Sequence, residues 1–128
     1  MRYLLDPHAF LWFITNDPKL SNTMAQAILD PAHEVFVSLV TPWEIAIKIG
    51  LGKLALSEPL HVAIPREIKR NKLKLLQITL DHTFLVSSLP HHHRDPFDRL
   101  LVAQAIVEGL PILSVDPALD AYGIKRIW

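Results

Sequence analysis

The sequence predicts an α/β protein, a mostly parallel β-sheet covered by helices on both faces. Three observations carry this. Short apolar or β-branched runs alternate along the chain with longer segments of helical character, as β-α-β crossovers require. The runs Tyr3-Leu4-Leu5 and Ile112-Leu113-Ser114-Val115 are almost wholly apolar, as strands buried on both faces are. Half of the 128 residues are apolar and 20% are charged. A chain of that length and composition buries a core of its own, so residues 1–128 are expected to form one domain.

The elements follow in order. Tyr3 to Leu5 is a strand. His8 to Thr15 reads as a helix, and Ser21 to Leu29 as a second one with Ser21 as N-cap. Glu34 to Ser38 is β-branched and aromatic, a strand. Thr41 to Ile49 is helical and stops near Gly50 and Gly52. Ser57 to Arg70 is helical, with Pro59 in its first turn and Pro65 opposing its continuation. Leu73 to Ile78 returns to strand, and Asp81 to Ser88 is a short helix. Asp95 to Glu108 is a long helix ending at Gly109. Ile112 to Val115 is a strand. A short helix from Pro117 and a strand from Ile124 to Trp128 close the pattern.

Composition narrows the function. There is no cysteine, which excludes disulfide scaffolds and thiolate zinc sites. Thirteen basic and thirteen acidic residues cancel, so general electrostatic coating of nucleic acid is not expected, while a local basic patch stays open. Asp6 and Asp17 interrupt the N-terminal apolar run, which is too short for a signal-peptide core or a membrane span. A soluble cytoplasmic protein is expected.

In open parallel sheets, sites lie beyond the carboxyl ends of the strands. Asp6 follows the first strand and Asp116 follows the strand Ile112 to Val115. Glu44 falls in the first turn of the helix after the second strand. Asp98 falls in the first turn of the helix leading to the Asp116 strand, with Asp95 one turn earlier at the rim. Capping explains each acid singly. Asp-Pro occurs five times, at residues 6, 17, 30, 95 and 116, and Asp at N-cap with Pro at N1 is an ordinary helix start. Asp95 with Asp98, and Thr41 with Glu44, also have capping-box spacing. Convergence is the other reading. Two carboxylates ~6 Å apart repel by roughly 2–3 kcal/mol at an effective dielectric near 20. A cleft holding four of them calls for a hard cation, Mg²⁺ or Mn²⁺, and such a site performs phosphoryl chemistry.

These residues resemble the PIN-domain endoribonucleases, and among them toxins of the VapC type from toxin–antitoxin pairs. The opening Leu4-Leu5-Asp6-Pro7-His8-Ala9 is similar to the family's Asp-Thr-His start. Trp43-Glu44-Ile45-Ala46-Ile47-Lys48 with Gly52-Lys53-Leu54 resembles its second motif. His92-His93-Arg94-Asp95-Pro96-Phe97-Asp98-Arg99-Leu100-Leu101 with Ala103-Gln104-Ala105 resembles its third, and Ser114-Val115-Asp116 its fourth. The resemblance implies a three-layer α/β/α fold and Mg²⁺-dependent RNA cleavage. It also implies inhibition by a cognate antitoxin, and a homodimer. It carries over Asp6, Glu44, Asp98 and Asp116 as catalytic, metal-holding acids, with Asp95 as an auxiliary. Pro7 departs from the family's Thr, removing a hydroxyl and a backbone N–H.

Other features have two readings each. His91-His92-His93 is a solvated or substrate-contacting loop rather than a metal site, since adjacent loop residues rarely point the same way. With Arg94 and Arg99, His93 is a candidate contact for RNA phosphates. Lys48, four residues after Glu44, is a helical ion pair or a cation setting the site's charge. Arg66, Lys69, Arg70, Lys72 and Lys74 form a basic stretch, read as a solvated helix end. Phe10 to Ile14 is apolar around most of a helix, either deeply buried or a dimer or antitoxin interface. A receiver-like signalling domain is disfavoured, since it needs adjacent acids after the first strand. A PIN-like nuclease acting on DNA, or in RNA processing without a toxic role, uses the same acids and stays open.

Overall fold

The computed structural model describes residues 1–128. Five strands form one sheet: β1 (Arg2–Leu5), β2 (Glu34–Ser38), β3 (Lys74–Leu76), β4 (Ile112–Leu113) and β5 (Arg126–Ile127). Their order is β3-β2-β1-β4-β5, and every neighbouring pair is parallel. The helices are α1 (Pro7–Ile14), α2 (Asn22–Leu29), α3 (Val40–Gly50), α4 (Leu60–Arg70), α5 (Leu80–Val86) and α6 (Pro96–Glu108), with a 3-10 turn over Pro117–Tyr122. No helix is long and apolar enough to cross a membrane.

The period-two alternation of the strands builds the layers. Tyr3 and Leu5 of β1 and Val35 and Val37 of β2 face a core that includes Phe10, Met24, Ile45 and Ile64, from α1 to α4. Leu4 and Ile112 face a second core with Leu101, Val102 and Ala105 of α6 and Leu119. Leu4, Leu5, Phe10 and Leu101 are fully buried, each contributing about 1.5–3 kcal/mol. The fold is therefore three-layer α/β/α, as expected, and its sheet is wholly parallel.

The strand order places the site. The chain moves from β1 through β2 to β3 at one edge, then returns through α5 and α6 to lay β4 on the other side of β1. The direction of winding reverses between β1 and β4, and a crevice opens at the carboxyl end of such a switch point. The ladder holds the chain up to that crevice, with the Asp6 N–H donating to the Leu113 carbonyl at 3.0 Å.

Several element ends differ from the sequence reading. The helix expected from Ser57 begins at Leu60, because Pro59 is extended (ψ 142°) and serves as N-cap. Pro65 lies inside α4 without ending it. The bond it forfeits is to His61, whose surroundings are exposed to water. The strands β3, β4 and β5 are shorter than expected, so Asp116 lies three residues past β4 rather than directly after it. The expected capping box of Thr41 with Glu44 is absent. The helix starts earlier, at Val40, with Leu39 as a cap that gives no side-chain bond. The Ser38 hydroxyl accepts the Val40 N–H at 3.0 Å instead, and Glu44 sits one turn inside α3. The long helix α6 ends as read, at Gly109 in the left-handed region (φ 66°), where the Leu110 N–H returns to the Ala105 carbonyl.

One buried polar tie couples the two halves of the crevice. Ser38, at the end of β2, donates its hydroxyl to Oε1 of Gln104 on α6, and Gln104 Nε2 donates to the Gln77 carbonyl. Both side chains are fully buried. Ser38→Ala is expected to destabilise by about 1–3 kcal/mol, since it leaves a buried acceptor and the Val40 N–H unpaired. Adding Gln104→Leu should restore part of the loss, as read by denaturant unfolding in a double-mutant cycle.

Candidate active site

The acids reach the crevice in two ways, three through Asp-Pro turns and two from within helices. All five Asp-Pro pairs form the same turn. The Asp Oδ1 accepts the N–H two residues on: His8 for Asp6, Lys19 for Asp17, Ala32 for Asp30, Phe97 for Asp95 and Ala118 for Asp116, all at 2.8–3.0 Å. Proline has no N–H, so the first donor that the aspartate meets is at i+2. Asp6, Asp95 and Asp116 thus do cap helical segments, and the capping reading is right for them. Asp17 and Asp30 make the same turn away from the crevice.

Glu44 and Asp98 cap nothing. Glu44 is 5% exposed. Its one oxygen, Oε2, lies 3.1 Å from Lys48 Nζ, so the expected helical ion pair is present. The other, Oε1, is buried with no hydrogen-bond partner. An unpaired carboxylate oxygen in such a place is expensive. Asp98, in the first turn of α6, has its pKa pushed up to about 6. Burial is the largest cause, followed by the neighbouring Asp95 charge. His93 works the other way, and Asp6 and Glu44 add to the rise.

The acids form two groups that share Asp98. Ligand oxygens of Glu44, Asp95 and Asp98 lie within 4.8 Å of one another, and so do ligand atoms of His93, Asp98 and Asp116. Asp6 belongs to neither group. It is 4% exposed, and its oxygens are held by the His8 and Ala9 N–H groups (2.8 and 3.3 Å) and by the Ser114 hydroxyl (3.1 Å). Ser114 also accepts the Asp116 N–H at 3.1 Å, so one hydroxyl bridges the ends of β1 and β4. Beside Asp6, the His8 ring has its pKa raised by that carboxylate, with burial acting against the rise. Pro7 is the first residue of α1 and is buried. It holds Asp6 in the extended region, ψ 145°, as residues before proline are held.

The positively charged residues fall differently from the sequence reading. Arg99 is 8% exposed and donates to the Pro90, Val86 and Leu89 carbonyls at 2.9, 3.0 and 3.3 Å. It braces the end of α5 and the loop after it, and leaves no face for RNA. The reason is that α6 is buried around much of its circumference, and position 99 is among its buried residues. Arg94 is exposed at the rim. His93 does not lie in solvent but reaches into the acids, with Nε2 3.2 Å from Asp116 Oδ2 and Nδ1 3.6 Å from Asp98 Oδ2. Sequence reasoning missed this insertion, along with Tyr122, whose hydroxyl oxygen accepts the His93 N–H at 2.8 Å. The only sequence signal was that the histidines stand one residue away from Asp95, across Arg94. Trp43 and Phe97, the neighbours of Glu44 and Asp98, meet edge to face at 4.9 Å on the rim. Arg66 and Arg70 of the basic stretch pair with Glu58 and Glu67 at the end of α4, whereas Lys74 belongs to β3 and pairs with Glu34 of β2.

The PIN domain family model matches residues 3–125. The chain belongs to the PIN-domain family. PIN domains are nucleases that use divalent metals, and the acids at the β1/β4 crevice are a donor set suited to such ions. No curated protein sequence matches the chain significantly. Among solved structures, a chain of VapBC2 from Rickettsia felis, bound to a DNA fragment from its promoter, superposes with a TM-score of 0.74 at 16% identity, covering 99% of this chain and 98% of that one. DNA-bound VapBC from Salmonella typhimurium gives 0.73 at 16% identity, with 99% and 97% covered. VapBC-5 from Mycobacterium tuberculosis, a member of the VapBC family of toxin–antitoxin systems, gives 0.58 at 18% identity, with 98% and 97% covered. At these identities the likeness is one of fold.

The raised Asp98 pKa has a testable sign. Below about pH 4 the carboxyl is protonated in both folded and unfolded chains, and it carries no penalty. From there to about pH 6 the unfolded chain ionises first, so metal-free stability falls as pH rises, and above that the full penalty stands. Asp98→Asn should therefore raise the melting temperature of metal-free protein at neutral pH. The difference should vanish in melts below about pH 4.

Proposed function

We propose that this PIN domain is a Mg²⁺-dependent endoribonuclease, with Mn²⁺ as an alternative ion, and that residues 1–128 act as one nuclease unit. The observation that carries the reading is the pairing of a buried, partnerless Glu44 oxygen with an Asp98 whose charge is resisted by its neighbours. Neither group caps a helix, and both are relieved by a cation. Asp98, Glu44, Asp95 and Asp116 would hold such an ion, which would supply activation of water and neutralisation of charge on the phosphorus oxygens. Asp6, fixed by two amides and the Ser114 hydroxyl, completes the acidic wall and keeps its place whether or not the ion is bound. Arg94, His93 and Lys48 stand where the phosphates of a bound strand pass.

The chain acts as the toxin of a toxin–antitoxin pair in the cytoplasm, restrained by a cognate antitoxin and working as a homodimer. Support comes from its fold-level likeness to VapBC proteins. It comes also from α1, where Phe10 is fully buried while Leu11, Trp12, Phe13 and Ile14 remain partly exposed. These four pack against the core from its margin, and the surface they leave exposed is the one offered to a partner. Cleavage of DNA is the second reading, since the same acids serve either backbone.

The test is cleavage of one single-stranded RNA and the matching DNA in Mg²⁺, in Mn²⁺ and in chelator. Asp6→Asn, Asp98→Asn and Asp116→Asn should each lower cleavage by more than the roughly 10–100-fold that loss of a supporting partner costs, with the fold retained. Full activity in chelator overturns the mechanism. Unfolding of Asp6→Asn and Asp116→Asn returns those two acids to a capping role alone. Faster cleavage of the DNA overturns the RNA assignment.

Pro7 gives a further prediction. It removes a hydroxyl and an N–H beside Asp6 without removing any acid. Pro7→Thr should tighten the Mg²⁺ midpoint of cleavage, within about the same 10–100-fold range, with substrate preference unchanged. Equal midpoints and equal rates would show that the two amides and Ser114 already suffice.

A further inference from the structure

We propose that His93 is a nitrogen ligand of the divalent ion, and that it turns an otherwise oxygen-only site toward Mn²⁺ over Mg²⁺. The proposal rests on the metal-dependent reading above and adds a ligand that the acids alone do not supply.

The geometry comes first. The His93 side chain is only 17% exposed. Its two ring nitrogens face different carboxylates, Nε2 toward Asp116 at 3.2 Å and Nδ1 toward Asp98 at 3.6 Å. One ligand atom from each of His93, Asp98 and Asp116 falls within a 4.8 Å span. Donors at about 2.0–2.2 Å from a common ion stand roughly 3–4 Å apart, so small side-chain movements close this set on a cation. A neutral imidazole carries one N–H and one lone pair. With one nitrogen on an ion, the other still faces a carboxylate that can accept its N–H.

The ring is also held in place before any ion arrives. The His93 N–H donates to the Tyr122 hydroxyl at 2.8 Å, and the ring lies parallel to the Tyr122 ring, with 6.4 Å between centroids and 14° between planes. Arg99 fixes the start of the same loop through the Leu89 and Pro90 carbonyls. His92 packs on the edge of Tyr122 and is exposed, so a single histidine of the three is delivered inward. The second group, Glu44, Asp95 and Asp98, offers oxygen only. Imidazole nitrogen suits transition ions, whereas carboxylate and water suit Mg²⁺. The two groups meeting at Asp98 therefore differ in which ion they favour.

The experiment is Mn²⁺ titration of the full chain, followed by pulsed electron paramagnetic resonance for nitrogen coupling to the bound ion, with calorimetric titration of Mn²⁺ and Mg²⁺ in parallel. The wild type should show ¹⁴N coupling, and His93→Ala and His93→Gln should lose it while His92→Ala keeps it. Mn²⁺ affinity should fall about 10–100-fold in the His93 variants, with Mg²⁺ affinity changed by less than about threefold. Melting curves identify a variant that fails to fold. The wild-type spectrum decides the matter without any variant. Mn²⁺ bound with no nitrogen coupling overturns the ligand assignment and leaves the acidic site standing. Coupling that persists in both His93 variants overturns it equally. Tighter Mn²⁺ binding in His93→Ala would show the ring to be a counter-cation that the metal displaces. Absence of Mn²⁺ and Mg²⁺ binding in the wild type would overturn the metal-dependent reading itself, and the nitrogen ligand with it.

Discussion

Mutual repulsion of carboxylates at the β1/β4 switch point is the constraint around which the crevice is organised. Five acids arrive there from four segments of chain, and at separations near 4 Å each ionised pair costs about 4 kcal/mol at an effective dielectric of 20. The fold tolerates this by giving most of the charge a local partner. Three aspartates lean on backbone amides at helix starts, where the helix dipole also favours a negative group. Glu44 has Lys48 on one oxygen. The Ser114 hydroxyl joins Asp6 to the Asp116 segment. What remains unanswered is one oxygen of Glu44 and the charge of Asp98, and the unmet demand points at the space between them.

The sequence showed the architecture because its signals are local and repeated. Strands of apolar residues, helices opened by Asp-Pro and closed by glycine, and their alternation leave few topologies other than a parallel sheet with two covered faces. The placing of acids at the strand ends was legible for the same reason, while the split into two groups that share Asp98 and leave out Asp6 was not. Boundaries were less so. The Thr41/Glu44 spacing suggested a capping box, but Ser38, buried against Gln104 across 66 residues, already takes the first helical N–H. No local pattern reveals that competition. Arg99 and His93 both read as contacts at the rim, and both turn inward for a similar reason. An arginine beside acids reads as an outward cation and a histidine triplet as a solvated loop, yet their direction is decided by helix phase and by Tyr122, far along the chain.

The five Asp-Pro turns show how one local habit serves two ends. Asp17 and Asp30 use it to shape the connection from α1 through α2 to β2. Asp6, Asp95 and Asp116 use it at the crevice, where the proline that sets the helix start also directs the aspartate's oxygen to the amide at i+2. In this chain Pro7 is therefore part of a recurring way of orienting carboxylates. The oxygen that is not capped is the one free to face a neighbour: Ser114 for Asp6, and His93 for Asp116.

The bridge from Ser114 to Asp6 spans 108 residues of sequence. β1 is the central strand and the first to be synthesised, while its neighbour β4 comes near the end. Closing so long a loop carries a large entropic cost before any contact repays it, and sheets built from such distant partners assemble late. A chain still growing, or one caught partly folded, has helices and even a β1-β2-β3 half sheet but no second wall to its crevice. The second wall of the acidic crevice thus exists only once β4 has joined β1.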